Sequence, residues 1–215
     1  MIQYIRWEAI FSMKTSKSKF QAVDITFVGM FAALMAIGAN ITSWAPFLQV
    51  AGVPLSMQPF FAILAGLLLG SRLGSLSMAI YMLVGIAGAP VFAKFSGGIG
   101  VIFSSTGGFI LSYIVTAYVV GKIIERNSKP QLPTFMIASF VGILLIYVVG
   151  TNYMYVAVNT WLEADMGYGY AWGIMTWFAV KDIAFTILGA FIAPRVYYSL
   201  QKTSRFHKTR TNDVA

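Results

Sequence analysis

The stretch TWFAVKDIAFTIL, residues 176–188, sets Lys181 beside Asp182 within an otherwise apolar run. A charge held in hydrocarbon costs a few kcal/mol and, inside a membrane segment, points to function by default. Successive residues on a helix are separated by about 100° and do not share a face. Lys181 and Asp182 are therefore expected not to satisfy one another readily, each requiring its own partner or a shared polar cavity. The functional reading is the floor of a ligand pocket; the structural alternative is ion pairing to other helices.

Other polar groups lie in apolar surroundings. In VGTNYMYVAVNTWL, Asn152, Tyr155 and Asn159 recur at helical spacing on one face. They can line a cavity or hydrogen-bond a neighbouring helix, and the spacing leaves both open. Gln58, at the head of another apolar run, carries the same two readings. Ser104, Ser105 and Thr106 precede an apolar run as candidate helix N-caps. The free N–H groups and positive dipole end of that helix would suit a carboxylate. The glycines nearby can equally serve only tight helix contacts and turns.

The elements that must position these groups are membrane helices. The 215-residue chain is 58% hydrophobic and 10% charged, with a mean hydropathy of +0.76, the profile of an all-α integral membrane protein. There is no cysteine, so thiol catalysis is excluded, and the single histidine, His207 in a basic tail, argues against a zinc or haem site and against histidine acid/base catalysis. Runs near the ~20 residues a bilayer demands fall at 23–42, 55–70, 74–92, 106–124, 133–159 and 171–197, predicting six spans.

Positive charge predicts their orientation. With the N-terminus inside, Arg72, Lys122, Arg126, Lys129, Arg195 and the basic residues of both tails are all cytoplasmic. Only Lys94 lies outside and Lys181 within, so both termini are expected in the cytoplasm. The net charge of +8 thus fits a membrane surface rather than nucleic acid. Residues 1–22 form a cytoplasmic N-terminal segment, with Met13 as an alternative natural start. Residues 23–198 form the membrane domain, and 199–215 a basic cytoplasmic tail. The long apolar loop after the first span, ITSWAPFLQVAGVPLSMQPF, is expected to act as a lid over a site at the outer side.

The stretch VPLSMQPFFAILAGLLLGSRLGSLSMAIYMLVGIAGAPVFAKFSGGIGVIFSSTGGF, followed by Asp182 in the last span, resembles the BioY family, the biotin-capturing S components of energy-coupling-factor (ECF) transporters. The likeness covers 23–198 and is most specific in LLLGSRLGSLSMAIYMLVGIAGAPVF and TGGF. It implies the ECF S-component fold, six helices with both termini inside, and a biotin site open to the outside. By position it implies that Gln58, Thr106, Gly107, Gly108 and Asp182 contribute to that site. The family usually has glycine before the aspartate and lysine three residues after it; here these are Lys181 and Phe185.

For biotin, Asp182 would accept from the ureido N–H groups and Asn152 or Gln58 would serve the carbonyl. Phe92, Tyr155, Trp44 and Trp177 would enclose the hydrocarbon. Lys181, Lys94 or the fourth helix N-terminus would meet the carboxylate. No cofactor is expected. VVGKII lacks the first glycine and the hydroxyl of a nucleotide-binding loop, so this chain is expected to have no ATPase of its own. The resemblance implies that a transmembrane T component and two ATP-binding-cassette subunits supply the energy. Gly29, Ala32, Ala33 and Ala36, at spacings that permit close helix approach, would dock on the T component or pack within the protein. The setting is the cell membrane of a prokaryote. An S component for another vitamin and a stand-alone secondary transporter are the rival readings.

Overall fold

The computed structural model describes residues 21–44, 49–50 and 53–203. The N-terminal segment before Gln21, residues 45–48 and 51–52 of the expected lid, and the tail beyond Thr203 lie outside the described residues, as does the side chain of Trp44.

The fold is all-helical apart from a two-residue antiparallel pair, β1 (Gln49–Val50) and β2 (Val53–Pro54). The helices are α1 (Ala22–Asn40), α2 (Gln58–Ile86), α3 (Gly107–Glu125), α4 (Leu132–Thr160) and α5 (Tyr168–Thr203). Among the described residues these five are long and apolar enough to cross a membrane. Even α1 and α3, at 19 residues each, span about 28 Å at 1.5 Å per residue. Segment ends agree with the sequence reading to within a few residues at most boundaries. The exceptions are the run to residue 92, which leaves the helix at Ile86, and α5, which continues through Pro194 to Thr203.

The expected second and third spans are the two arms of α2. Gly70 sits at φ 81° and ψ −176°, a conformation that side chains other than glycine's hydrogen strongly disfavour, and it folds the helix back on itself. Gln58 Nε2 and Tyr81 OH consequently meet at 2.9 Å. In an unbroken helix their 23-residue separation would hold them about 34 Å apart. The turn is seated on α3: a Cβ at Gly121 would collide with the backbone of Gly70 and Ser71. One turn later the Glu125 carboxylate accepts the Ser71 N–H (2.7 Å) and Oγ–H (2.8 Å), capping the second arm.

α3 packs most extensively on α2 and α4, while α1 and α5 flank this centre. Ala62, Ile63, Leu67, Ala117, Val120 and Ile146 are buried where these helices meet. Large apolar side chains such as Ile137, Leu144 and Phe191 point outward, as a hydrocarbon surround permits. The Gly70 turn, the end of α3 and the start of α4 share one end of the bundle. The opposite end carries residues 41–44 and 53–57, the 87–106 connection and the start of α5.

Candidate functional site

At that second end the helices surround a chamber that opens to solvent, with about 820 Å³ of empty space counted out through its mouth. Its walls are apolar. Phe109, Ile110, Met154, Met175 and Phe178 come from α3, α4 and α5, and Phe92 from the loop after α2. The polar lining is sparse: Gln58, Tyr113, Tyr147, Lys181 and Asp182, with the hydroxyl residues Ser56, Ser96 and Thr106.

Asp182, 2% exposed, stands on α5 at the heart of the polar lining. Its Oδ2 accepts from Tyr147 OH at 2.7 Å, and Oδ1 faces Lys181 Nζ at 2.5 Å. The two charges therefore do pair, against the expectation from helical geometry. The four-carbon lysine stem bends back across the 100° offset that a short side chain could not bridge. Lys181 Nζ also donates to the Ser56 carbonyl, tying α5 to the segment that enters α2. Both residues still line the chamber. An ionised carboxylate offers about four acceptor positions and an ammonium three donors. With these partners, each group retains capacity for a ligand.

Gln58 is fixed by a relay. Tyr81 OH lies 3.1 Å from the Val91 carbonyl, which can only accept, so the tyrosine donates there. It must then accept from Gln58 Nε2 at 2.9 Å, which sets the amide orientation and leaves Gln58 Oε1 and one N–H uncommitted. Tyr81 is buried edge-on against Phe92, with centroids 5.5 Å apart. Phe92 in turn rests on Gly85, where any Cβ would meet its ring.

The structure brings together Asp182, Lys181, Gln58, Thr106 and Phe92, but not the remaining predicted site residues. Asn152 is exposed; its amide donates to the Val148 carbonyl (2.7 Å) and accepts from Tyr168 OH (3.2 Å). Asn159 likewise folds onto its own helix and the α4–α5 connection, bonding Tyr155 and Met166. Tyr155 stacks edge-on with Tyr168 at 5.2 Å rather than facing the chamber. Trp177 is 70% exposed on the outer face of α5, offset from Phe178, which faces inward. Gly107 and Gly108 are packing positions: added Cβ atoms would strike Ile102 and Tyr153. Thr106 occupies the N-cap position without a side-chain cap bond, its hydroxyl lying 3.0 Å from Ser104 Oγ. The Gly107 and Phe109 N–H groups close local turns, so that helix end has fewer free donors than expected.

Tyr147 and Tyr113 went unread in the sequence. A tyrosine hydroxyl in the middle of a membrane run must find a partner, and that demand at GILLIYVVG is the signal that would have found Tyr147. Phe185, where the family lysine was expected, is absent from the chamber and packs against Phe60 at 6.3 Å. Among the described residues Lys181 is the one cation lining the chamber.

A bundle of membrane-length helices closing at one end around an apolar chamber with a charged floor defines a helical membrane protein built to hold a small molecule. Residues 13–202 match the BioY family. The "Putative biotin transporter BioYB" of Bacillus subtilis is 53% identical over 196 residues, covering 91% of this chain and 98% of that protein. The "Probable biotin transporter BioY" of Lysinibacillus sphaericus is 34% identical over 177 residues, 81% and 87% of the two chains. A crystal structure described as the S-component for biotin from an ECF-type ABC transporter superposes with a TM-score of 0.63 at 18% identity. It covers 88% of this chain and 98% of that one, a likeness of fold. The chain belongs to the BioY family.

Proposed function

We propose that this protein is the membrane-embedded substrate-binding component that captures biotin for ATP-driven uptake by an ECF-type transporter. The observation that carries this reading is Asp182: a buried carboxylate with unused acceptor positions at the floor of an apolar chamber, in a chain of this family. Two ureido N–H groups of biotin match that carboxylate. The ureido carbonyl matches the uncommitted N–H of Gln58 or a proton of Lys181. Phe92, Phe109, Met154, Met175 and Phe178 offer apolar surface to the bicycle and chain. The ligand carboxylate then points to the mouth, where Ser96 and Thr106 stand, leaving Lys181 with Asp182.

The two arms of α2 count as separate crossings in this reading, giving six. The Gly70 end, with Arg72, Lys122, Arg126, Lys129 and Arg195 near it, faces the cytoplasm with both termini. The chamber then opens to the outside of a prokaryotic cell membrane, residues 23–198 forming the binding domain. The chain works without a cofactor or catalytic step of its own; a T component and two ATP-binding-cassette subunits supply the energy. The T component docks on α1. There Gly29 and Ala33 are exposed, with open space beside Gly29, whereas Ala32 and Ala36 pack inward against the core, which narrows the four-residue face to two positions.

Isothermal calorimetry on purified protein stripped of ligand tests the assignment. One biotin per chain should bind with measurable heat, and other vitamins at the same concentration should not compete. Binding of a different vitamin in its place overturns the choice of ligand. Uptake by cells lacking any coupling subunits overturns the dependence on partners.

A further inference from the structure

We infer that Asn40, the last residue of α1, is a positioning residue that holds one wall of the chamber in its working shape. Asn40 is 7% exposed and reaches the loop that follows α2. Its Oδ1 accepts the Phe95 N–H at 2.7 Å, while Nδ2 donates to Ala36 O at 3.0 Å and lies 3.4 Å from Val91 O. The amide orientation is forced, since a backbone N–H can only donate and carbonyls only accept. One side chain thus grips the loop at two points four residues apart, and Phe92 N–H to Ser96 O (3.0 Å) closes an overlapping turn one residue further on.

The grip matters because the loop cannot hold this shape comfortably unaided. Lys94 and Phe95 adopt φ of 60° and 54°, left-handed conformations that residues with a side chain disfavour. The sequence places glycine at 97 and 98, beyond the two positions that need it. The conformation is therefore imposed from outside the loop, and strained backbone persists where surrounding contacts over-determine it. What the strain presents is the wall itself: Phe92, Ala93 and Ser96 all line the chamber. The Val91 carbonyl is shared with Tyr81 OH, so the same grip extends through Tyr81 to Gln58. Two residues earlier on α1 the Gly38 carbonyl accepts the Met57 N–H at 2.8 Å, beside Ser56 and Gln58. The end of α1 thus fastens two walls of the chamber.

For its affinity arm this inference rests on the biotin reading; an exchange arm does not. The full chain in detergent is compared as wild type, Asn40→Ala, Asn40→Asp and the double variant Asn40→Ala with Phe95→Gly. Amide exchange is followed by mass spectrometry across 92–98 and across α3 and α4, and biotin affinity by calorimetry. Asn40→Ala should accelerate exchange in 92–98 by at least about tenfold, leave α3 and α4 unchanged, and weaken biotin by a similar factor. Asn40→Asp, which keeps the acceptor for Phe95 but turns an oxygen instead of a donor toward the Ala36 and Val91 carbonyls, should leave protection in 92–98 between that of Asn40→Ala and that of wild type. Phe95→Gly, which makes the left-handed position comfortable, should recover part of the lost affinity. Unchanged exchange in 92–98, a slackening spread over all helices, or no recovery from Phe95→Gly overturns the positioning role. A wild type that ignores biotin while exchange behaves as expected overturns the ligand assignment and leaves the grip standing.

Discussion

Asp182 is the residue on which affinity should turn. Its Tyr147 and Lys181 partners hold the charge in place without exhausting its acceptor positions, and a hydrogen bond to a charged group contributes about 1.5–3 kcal/mol net. Asp182→Asn should therefore weaken biotin between about tenfold and a hundredfold by calorimetry, a conversion of the same energy. Tyr147→Phe acts differently, leaving a buried carboxylate short of one donor before any ligand arrives. It should lower the thermal midpoint of the unliganded protein, and a saturating ligand that donates to Asp182 should recover part of the loss. At this scale the sequence was legible where polarity was out of place. Lys181, Asp182 and Gln58 stand out against apolar neighbours, and all three line the chamber. Asn152 and Asn159 stand out as much, yet a short amide at a helix surface can turn back to its own backbone four residues earlier. Polarity alone does not distinguish that local bond from a cavity.

Among the elements, α2 and α3 decide the architecture. The hairpin at Gly70 makes α2 bring Gln58 and Tyr81 to the same level, and its turn leaves no room for a side chain at Gly121. Gly121→Leu should thus be more damaging than its small apolar change suggests, because the clash is with backbone rather than with a flexible side chain. The expected outcome is loss of monodisperse protein in size-exclusion chromatography. Glu125→Ala should be milder, removing two hydrogen bonds at one cap at about 1–2 kcal/mol, read as a lowered thermal midpoint. The helices were legible because each is a long apolar run, and their ends followed from prolines, glycines and charges. The fold-back was legible only as two short runs punctuated by GSRLG, since apolar length does not report how the chain turns between two runs. The loop 91–96 was unreadable for a related reason: its left-handed residues are Lys94 and Phe95, and the contact that holds them comes from Asn40, more than fifty positions away.

At the scale of the whole molecule, the proposed docking gives α1 two tasks. One end of that helix fastens chamber walls through Gly38 and Asn40; along its length Gly29 and Ala33 leave an open, small-residue face. Close approach by another membrane helix needs such a face, because association in lipid depends on packing rather than on exclusion from water. The inward tilt of Ala32 and Ala36 makes them unsuitable probes, since a bulky group there would press on the core and confuse docking with folding. Ala33→Trp, with or without Gly29→Trp, adds its bulk to the open side. Such variants should bind biotin with wild-type affinity and fail to co-purify with the T component. Ile137→Trp supplies the control, placing the same ring on α4 at a residue 60% exposed and away from α1. It should retain both properties. If Ala33→Trp assembles as well as Ile137→Trp, the partner meets another face of the bundle; if Ala33→Trp loses biotin, the open face belongs to the chamber's support instead.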